Sequence, residues 1–349
     1  MITFYPGPSK LFPEIKGYLA EAYDSGILSF NHRTTEFMLL YKQCEALLKS
    51  KLNIPEDYAI YFCSSATECW EVISQSYNVP SLYFYNGSFG EKWFNSAKKI
   101  NTRSFGNHFS VDAGLNTDNL TEQYELIGIV QNETSNGTHV NNSVLEELRN
   151  RFKGIIAVDC TSSLGGIKLN IAAADIWFAS VQKCFGLPSG MALMICSPSA
   201  IQKAKEIKSN RYYNDILALH ENYLNYQTTH TPNILNIYLL KKVMEQSEGI
   251  DKINKHIHHR AVDFYNYTDS LRRLKPMVAD PDLRSQTVFA LQGDAAFINS
   301  LKEDLRKQNI IAGNGYGQWK ENTIRIANFP AIKDEEFEIL KSELTKLAR

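Results

Sequence analysis

The chain has 349 residues, 44% of them hydrophobic, and its 37 Lys and Arg nearly balance its 38 Asp and Glu. That much apolar material can bury one large core and a smaller one, which excludes a disordered chain and points to two domains. No block of like charge offers a basic face to nucleic acid or an acidic membrane, and no 18-residue uncharged apolar run could cross a bilayer, so the expected partner is a small molecule.

The opening MITFYPGPSK lacks the basic stretch and apolar run of a secretion signal, and a cytoplasmic protein is expected. Cys44, Cys63, Cys69, Cys160, Cys184 and Cys196 show no C-x-x-C spacing, which argues against a zinc knuckle or a disulfide framework and for reduced packing thiols. From about residue 58 to 196, short β-branched or aromatic runs (AIYFC, SLYFYN, ELIGIVQ, GIIAVD, DIWFASV, MALMIC) alternate with amphipathic stretches such as TECWEVISQSY, EKWFNSAKKI and NSVLEELRNRF. The alternation predicts an α/β fold with a mostly parallel sheet flanked by helices.

After residue 233 the texture changes. A long helical run from Ile234 to about Leu274 is followed by SQTVFAL, the helix AAFINSLKEDLRKQ, strands at NIIAG and NTIRIAN, and a last helix DEEFEILKSELTKL. These predict a smaller C-terminal α/β domain. The expected division is a large domain over 16–235 and a small one over 236–349, with a short linker near 230–236. Residues 1–15 are expected to pack with the small domain and the functional site.

Ligands of an open parallel sheet sit beyond the carboxyl ends of its strands, so the residues ending each strand come first. ELIGIVQ runs into Asn132-Glu133-Thr134, GIIAVD ends at Asp159, and DIWFASV is followed by Gln182-Lys183. Alone, such a lysine is usually a solvated strand end and such an aspartate a turn residue. Together, an amine, a carboxylate and a hydroxyl on one edge are the groups that pyridoxal phosphate requires. The amine carries the cofactor and moves the substrate proton, the carboxylate keeps the pyridine nitrogen protonated, and the hydroxyl holds the ring oxygen.

Cys63-Ser64-Ser65-Ala66-Thr67-Glu68 follows a strand and opens a helix, so its free N–H groups and helix dipole suit a phosphate. Ser65 and Glu68 equally fit a capping box that needs no ligand. Phe89, just after SLYFYN, is placed to stack on a pyridine ring, whereas Trp93 reads as core. His256, His258 and His259 read as the solvated face of a polar helix, and no metal site is expected.

GPSKLFPEI, FNHRTTEF, SSATECWE, GSFG, QNETSNG, VDCTSSLGG, SVQKCFGLPSG, HTPNILNIYLL and IRIANFP occur in the order expected of class-V aminotransferases, which the chain resembles from Gly7 to Pro330. Within them it is most similar to the phosphoserine branch. The resemblance implies a fold type I subunit that binds pyridoxal 5'-phosphate and works as a homodimer with active sites at the interface. It makes Lys183 the cofactor lysine, Asp159 the pyridine partner, Thr134 the ring-oxygen contact and Phe89 the stacking residue. Ala66, Thr67 and Gln182 would hold the cofactor phosphate, with His230 and Thr231 reaching it from the second subunit. Arg325 would grip the substrate α-carboxylate, and His32 and Arg33 the substrate phosphate.

The implied reaction moves an amino group between glutamate and 3-phosphohydroxypyruvate, as in serine biosynthesis. The alternative is an alanine–glyoxylate or serine–pyruvate type exchange. This chain departs from the branch in four places: Phe89 stands where Trp is common, Ser65-Ala66-Thr67 where a turn ends in Ala-Arg, His230 where Asn is usual, and IRIANFP differs from the branch's Arg-centred element downstream of the arginine.

Overall fold

The computed structural model describes every residue except 118, 119, 121, 122, 210 and 349. In chain order it begins with β1 (Ile2–Phe4), α1 (Ile15–Asp24), α2 (Thr35–Leu52), β2 (Ala59–Cys63), α3 (Ala66–Ser76), β3 (Ser81–Tyr85), α4 (Ser88–Ile100) and β4 (Ser104–His108). Next come β5 (Leu126–Val130), β6 (Asn132–Glu133), β7 (Thr138–His139), α5 (Asn142–Arg151), β8 (Ile155–Asp159), β9 (Ile176–Ser180), β10 (Ala192–Cys196), α6 (Pro198–Ile207) and α7 (Ile216–Tyr223). The chain finishes with α8 (Ile234–Gln246), α9 (Ile250–Thr268), β11 (Lys275–Pro276), β12 (Val288–Gln292), α10 (Ala295–Lys307), β13 (Ile310–Asn314), β14 (Thr323–Ala327) and α11 (Asp334–Ala348).

Seven strands form the large sheet in the order β2-β10-β9-β8-β5-β3-β4, and only β10 runs against its neighbours. Every residue of β8, β9 and β10 is buried. Such continuous apolar runs are what a sheet covered on both faces demands. Side chains alternate between the two faces: Ile156 and Val158 with Trp177 and Ala179 enter one core, while Ile155 and Ala157 with Ile176 and Phe178 enter the other. The parallel strands therefore all deliver their carboxyl ends to one edge.

The second sheet has the order β1-β13-β14-β12-β11 and its own core around Phe264, Phe289 and Phe337. Strand β1 pairs in parallel with β13, so the first residues of the chain complete the sheet formed by the last hundred. The long helical run expected from Ile234 to Leu274 is two helices, because Gly249 at φ 90° sits between α8 and α9 in a backbone region that side chains disfavour. Helix α8 contributes Ile237, Leu239 and Leu240 to the large-sheet core, and Ala261 and Phe264 of α9 belong to the smaller one. We propose a division into two domains that follows these cores, with β1 in the smaller and the crossing point within α9. No described helix is long and apolar enough to cross a membrane.

Candidate active site

At the carboxyl edge of the large sheet lies a cavity of about 220 Å³, lined by Ala66, Thr67, Phe89, Thr134, Asp159, Gln182, Lys183 and Arg325 together with Tyr5, Trp70, Ser162, Ser180 and Tyr316. Lys183 is buried, and its Nζ donates to Thr134 Oγ1 at 2.7 Å rather than to a carboxylate. Ser162 Oγ donates to the Asn132 carbonyl at 2.9 Å and stands 2.7 Å from Thr134 Oγ1. The hydroxyl protons therefore run away from Lys183, leaving Thr134 as its acceptor. Burial drives the Lys183 pKa down from 10.5 to about 8, with the nearby Arg325 cation adding to the drop and Asp159 opposing it.

Asp159 ends β8 and is buried too. One carboxylate oxygen accepts the Thr161 backbone N–H at 2.9 Å and the other the Trp70 indole N–H at 3.1 Å. Burial raises its pKa, while the Thr161 and Trp70 bonds and the Lys183 charge pull it back. These bonds fix the carboxylate's direction.

Two helices aim their N-termini at the same edge. Ser65 caps α3 by accepting the Glu68 N–H at 3.0 Å, and the Glu68 carboxylate accepts the Ser64 N–H at 2.6 Å. The capping interaction is real, and it leaves the α3 dipole pointing into the cavity. The Ala66 N–H meets the Ser180 hydroxyl at 2.9 Å.

Helix α4 is capped differently. Gly87 offers no side chain, and the buried Glu133 carboxylate accepts the N–H groups of Phe89 at 3.2 Å and Gly90 at 3.0 Å. A Cβ at Gly87 would lie 2.4 Å from Glu133 Cγ, so the close approach itself requires glycine. Leaving the buried Gly90 N–H unpaired would cost about 1–3 kcal/mol. The consequence is a fixed Phe89, whose ring centroid lies 5.2 Å from Lys183 Nζ. Trp93, one turn on, is core, buried against Tyr83 and Phe178.

The smaller sheet supplies the opposite wall. Arg325 in β14 is 5% exposed, and it donates to the carbonyls of Thr134 at 2.9 Å and Asn314 at 2.7 Å. The N-terminal segment closes a third side: Ser9 N–H bonds the Gln182 carbonyl at 2.9 Å, and a Cβ on Gly7 would lie 2.9 Å from Lys183 Cε. Tyr5, Trp70, Ser162 and Tyr316 have no local signal in the sequence.

His32, Arg33, His230 and Thr231 do not line this cavity. Arg33 is exposed, with Nη1 donating to Asn222 Oδ1 at 2.9 Å and also to Gln227 Oε1. His230 has the Tyr213 ring at 6.4 Å, and Thr231 is exposed. Burial lowers the His32 pKa first, followed by the Arg33 and His230 charges, so this imidazole is held toward its neutral form.

The class-V aminotransferase family model matches residues 97–318, a range that includes Thr134, Asp159 and Lys183. The chain belongs to the class-V aminotransferases. It is 29% identical to the phosphoserine aminotransferase of Rhodococcus opacus, over 97% of this chain and 92% of that protein. The crystal structure of a phosphoserine aminotransferase from Cytophaga hutchinsonii superposes with a TM-score of 0.93 at 32% identity, covering 99% of this chain and 98% of that one. An alanine–glyoxylate aminotransferase from Nostoc shares the fold, with a TM-score of 0.87 at 19% identity over 100% and 95% of the two chains. This class-V aminotransferase thus has the fold type I architecture that its sequence motifs imply, and transamination is its chemistry.

Proposed function

We propose that the protein is a pyridoxal 5'-phosphate-dependent phosphoserine:2-oxoglutarate aminotransferase, acting in the cytoplasm as a homodimer on small amino and keto acids. One observation carries the reading: Lys183 and Asp159, both buried, face the same cavity yet spend their hydrogen bonds on Thr134, Thr161 and Trp70 instead of on each other. Two opposite charges left apart in a shared space fit a group that needs both. Pyridoxal phosphate has an aldehyde for the amine, a ring nitrogen for the carboxylate, a ring oxygen for Thr134, a face for Phe89 and a phosphate for the N-terminus of α3.

When bound, that cofactor supplies the electron sink that lets a substrate α-proton leave. Every remaining task falls to this chain. Lys183 Nζ, whose pKa burial lowers to about 8, would take the α-proton as the neutral amine and return it as the ammonium. Asp159 holds a proton on the ring nitrogen. Arg325 presents a planar, bidentate donor pair to the α-carboxylate, a role its burial strengthens by excluding competing water.

Arg33 with His32 would read the substrate phosphate from a second copy, and His230 with Thr231 would reach the cofactor phosphate from it. Support comes from the surroundings, since Tyr213, whose ring centroid lies 6.4 Å from that of His230, is 64% exposed, and apolar surface of that kind is covered in a dimer. The absorbance spectrum of the purified protein tests the proposal. A yellow protein near neutral pH should bleach when glutamate or phosphoserine is added, and a colourless protein that gains no absorbance from added cofactor would end the reading.

A further inference from the structure

The loop joining β13 to β14 lands on the N-terminus of α4. Gly317, at φ 56°, comes so close that a Cβ there would lie 2.4 Å from Ser88 Oγ. Its neighbour Tyr316 stacks on Phe89 with ring centroids 5.1 Å apart at 24° and lines the Lys183 cavity. Arg325 Cζ stands 5.3 Å from the same phenol ring. Lys92, three residues after Phe89 on α4, reaches across with Nζ 4.7 Å from the Tyr316 centroid and donates to the phenol oxygen.

An ammonium has donors only, so the phenol oxygen is the acceptor in that bond. Its own O–H proton is left to donate elsewhere, and the ring is pinned by the Phe89 stack. We propose that Tyr316 is a specificity-determining residue whose O–H donates to the anionic end of a substrate side chain, with Lys92 as the residue that positions it. The anionic end is the phosphate of phosphoserine or the γ-carboxylate of glutamate, while Arg325 takes the α-carboxylate. This rests on the aminotransferase reading above and deepens it. Tyr316 and Arg325 lie on one wall, so a substrate anchored on the arginine passes the phenol. Alanine, which has no anionic side chain, gains nothing from the contact.

The test compares half-reactions with phosphoserine, glutamate and alanine in the wild-type holoenzyme, Tyr316→Phe, Lys92→Met and the double variant. Tyr316→Phe keeps the ring and its stack. It should lower the phosphoserine-to-alanine and glutamate-to-alanine ratios of kcat/KM by roughly tenfold, the usual scale of a hydrogen bond to a charged group. Lys92→Met should act in the same direction, and the double variant should be no worse than Tyr316→Phe because the lysine works through the phenol. A readout without chemistry accompanies it: calorimetric binding of 3-phosphoglycerate, which lacks an amine, should weaken in Tyr316→Phe relative to binding of glycerate.

Unchanged ratios, or an equal fall for alanine, would overturn the inference and leave Tyr316 a packing residue. Should the wild-type enzyme give no phosphoserine half-reaction, the phosphoserine assignment fails instead. In that event the glutamate-to-alanine ratio still decides the role of Tyr316.

Discussion

The Lys183 cavity and the surface around His32, Arg33 and His230 each hold an arginine, but only the cavity buries and directs it. In the cavity, strand ends fix Lys183 and Asp159, the Glu133 carboxylate fixes Phe89, and two carbonyls fix Arg325, so each group is buried and already directed. On the surface, Arg33 is exposed and bonded to Asn222 and Gln227, with nothing in the chain for it to act on. The contrast separates two tasks. Chemistry needs preorganisation inside one subunit, whereas the proposed reading of substrate phosphate is left to the meeting of two.

The largest expected effect is in the cavity. Lys183→Ala should abolish covalent cofactor binding and transamination while the variant remains folded, as absorbance and circular dichroism would register. Any turnover by the purified variant removes Lys183 from its role. Asp159→Asn should retain bound cofactor but slow α-proton removal by about 10²- to 10⁴-fold, the range of a positioned acid or base. Stopped-flow single turnovers at the wild-type rate would contradict it.

Effects on the surface should be smaller and selective. Arg33→Ala is expected to lower the phosphoserine-to-alanine ratio of kcat/KM by roughly 10- to 150-fold. Arg325→Ala should impair every amino acid, since each carries the α-carboxylate. An unchanged ratio in Arg33→Ala would favour the alanine–glyoxylate reading.

Subunit mixing sharpens the comparison directly. If sites are shared, a heterodimer of Lys183→Ala and Arg33→Ala chains contains one intact site, so an equimolar mixture should recover about a quarter of wild-type phosphoserine activity. No recovery after exchange would mean that each chain works alone.

The smallest effect is a shift in pH. Lys183 bonds covalently to the cofactor only as the neutral amine, and its pKa is lowered to about 8, so the rate of cofactor capture by the cofactor-free protein should rise with pH through about 8 and then level. Removing the Asp159 charge takes away an influence that raises this pKa, and the midpoint should move down in Asp159→Asn. A midpoint near that of an ordinary lysine would show that burial does not act as described.

Much of the cavity's edge is legible in the sequence, because hydrophobic strands of known period end at definite residues. GIIAVD and DIWFASV became β8 and β9, and their last residues led to Asp159 and Lys183. Tyr316 and Trp70 were not legible. They reach the cavity through a loop from the other sheet and a helix face, and no local spacing encodes such meetings. The same limit explains the helix break at Gly249, a single positive-φ residue in an otherwise continuous helical pattern, and the edge strand β4, whose SFGNH is largely exposed and lacks apolar alternation.

By itself, then, the sequence determined the α/β alternation, the strand-end amine and carboxylate, and the motif order of the family, since each depends on neighbours within a few residues along the chain. The tertiary structure alone decided that β1 joins β13, that Glu133 caps a helix begun 45 residues earlier, and that Phe89 meets Tyr316, and Tyr316 Arg325, where the two sheets face each other. Those facts depend on long-range packing, where burial and unpaired backbone groups select one arrangement among many that local preference leaves equal.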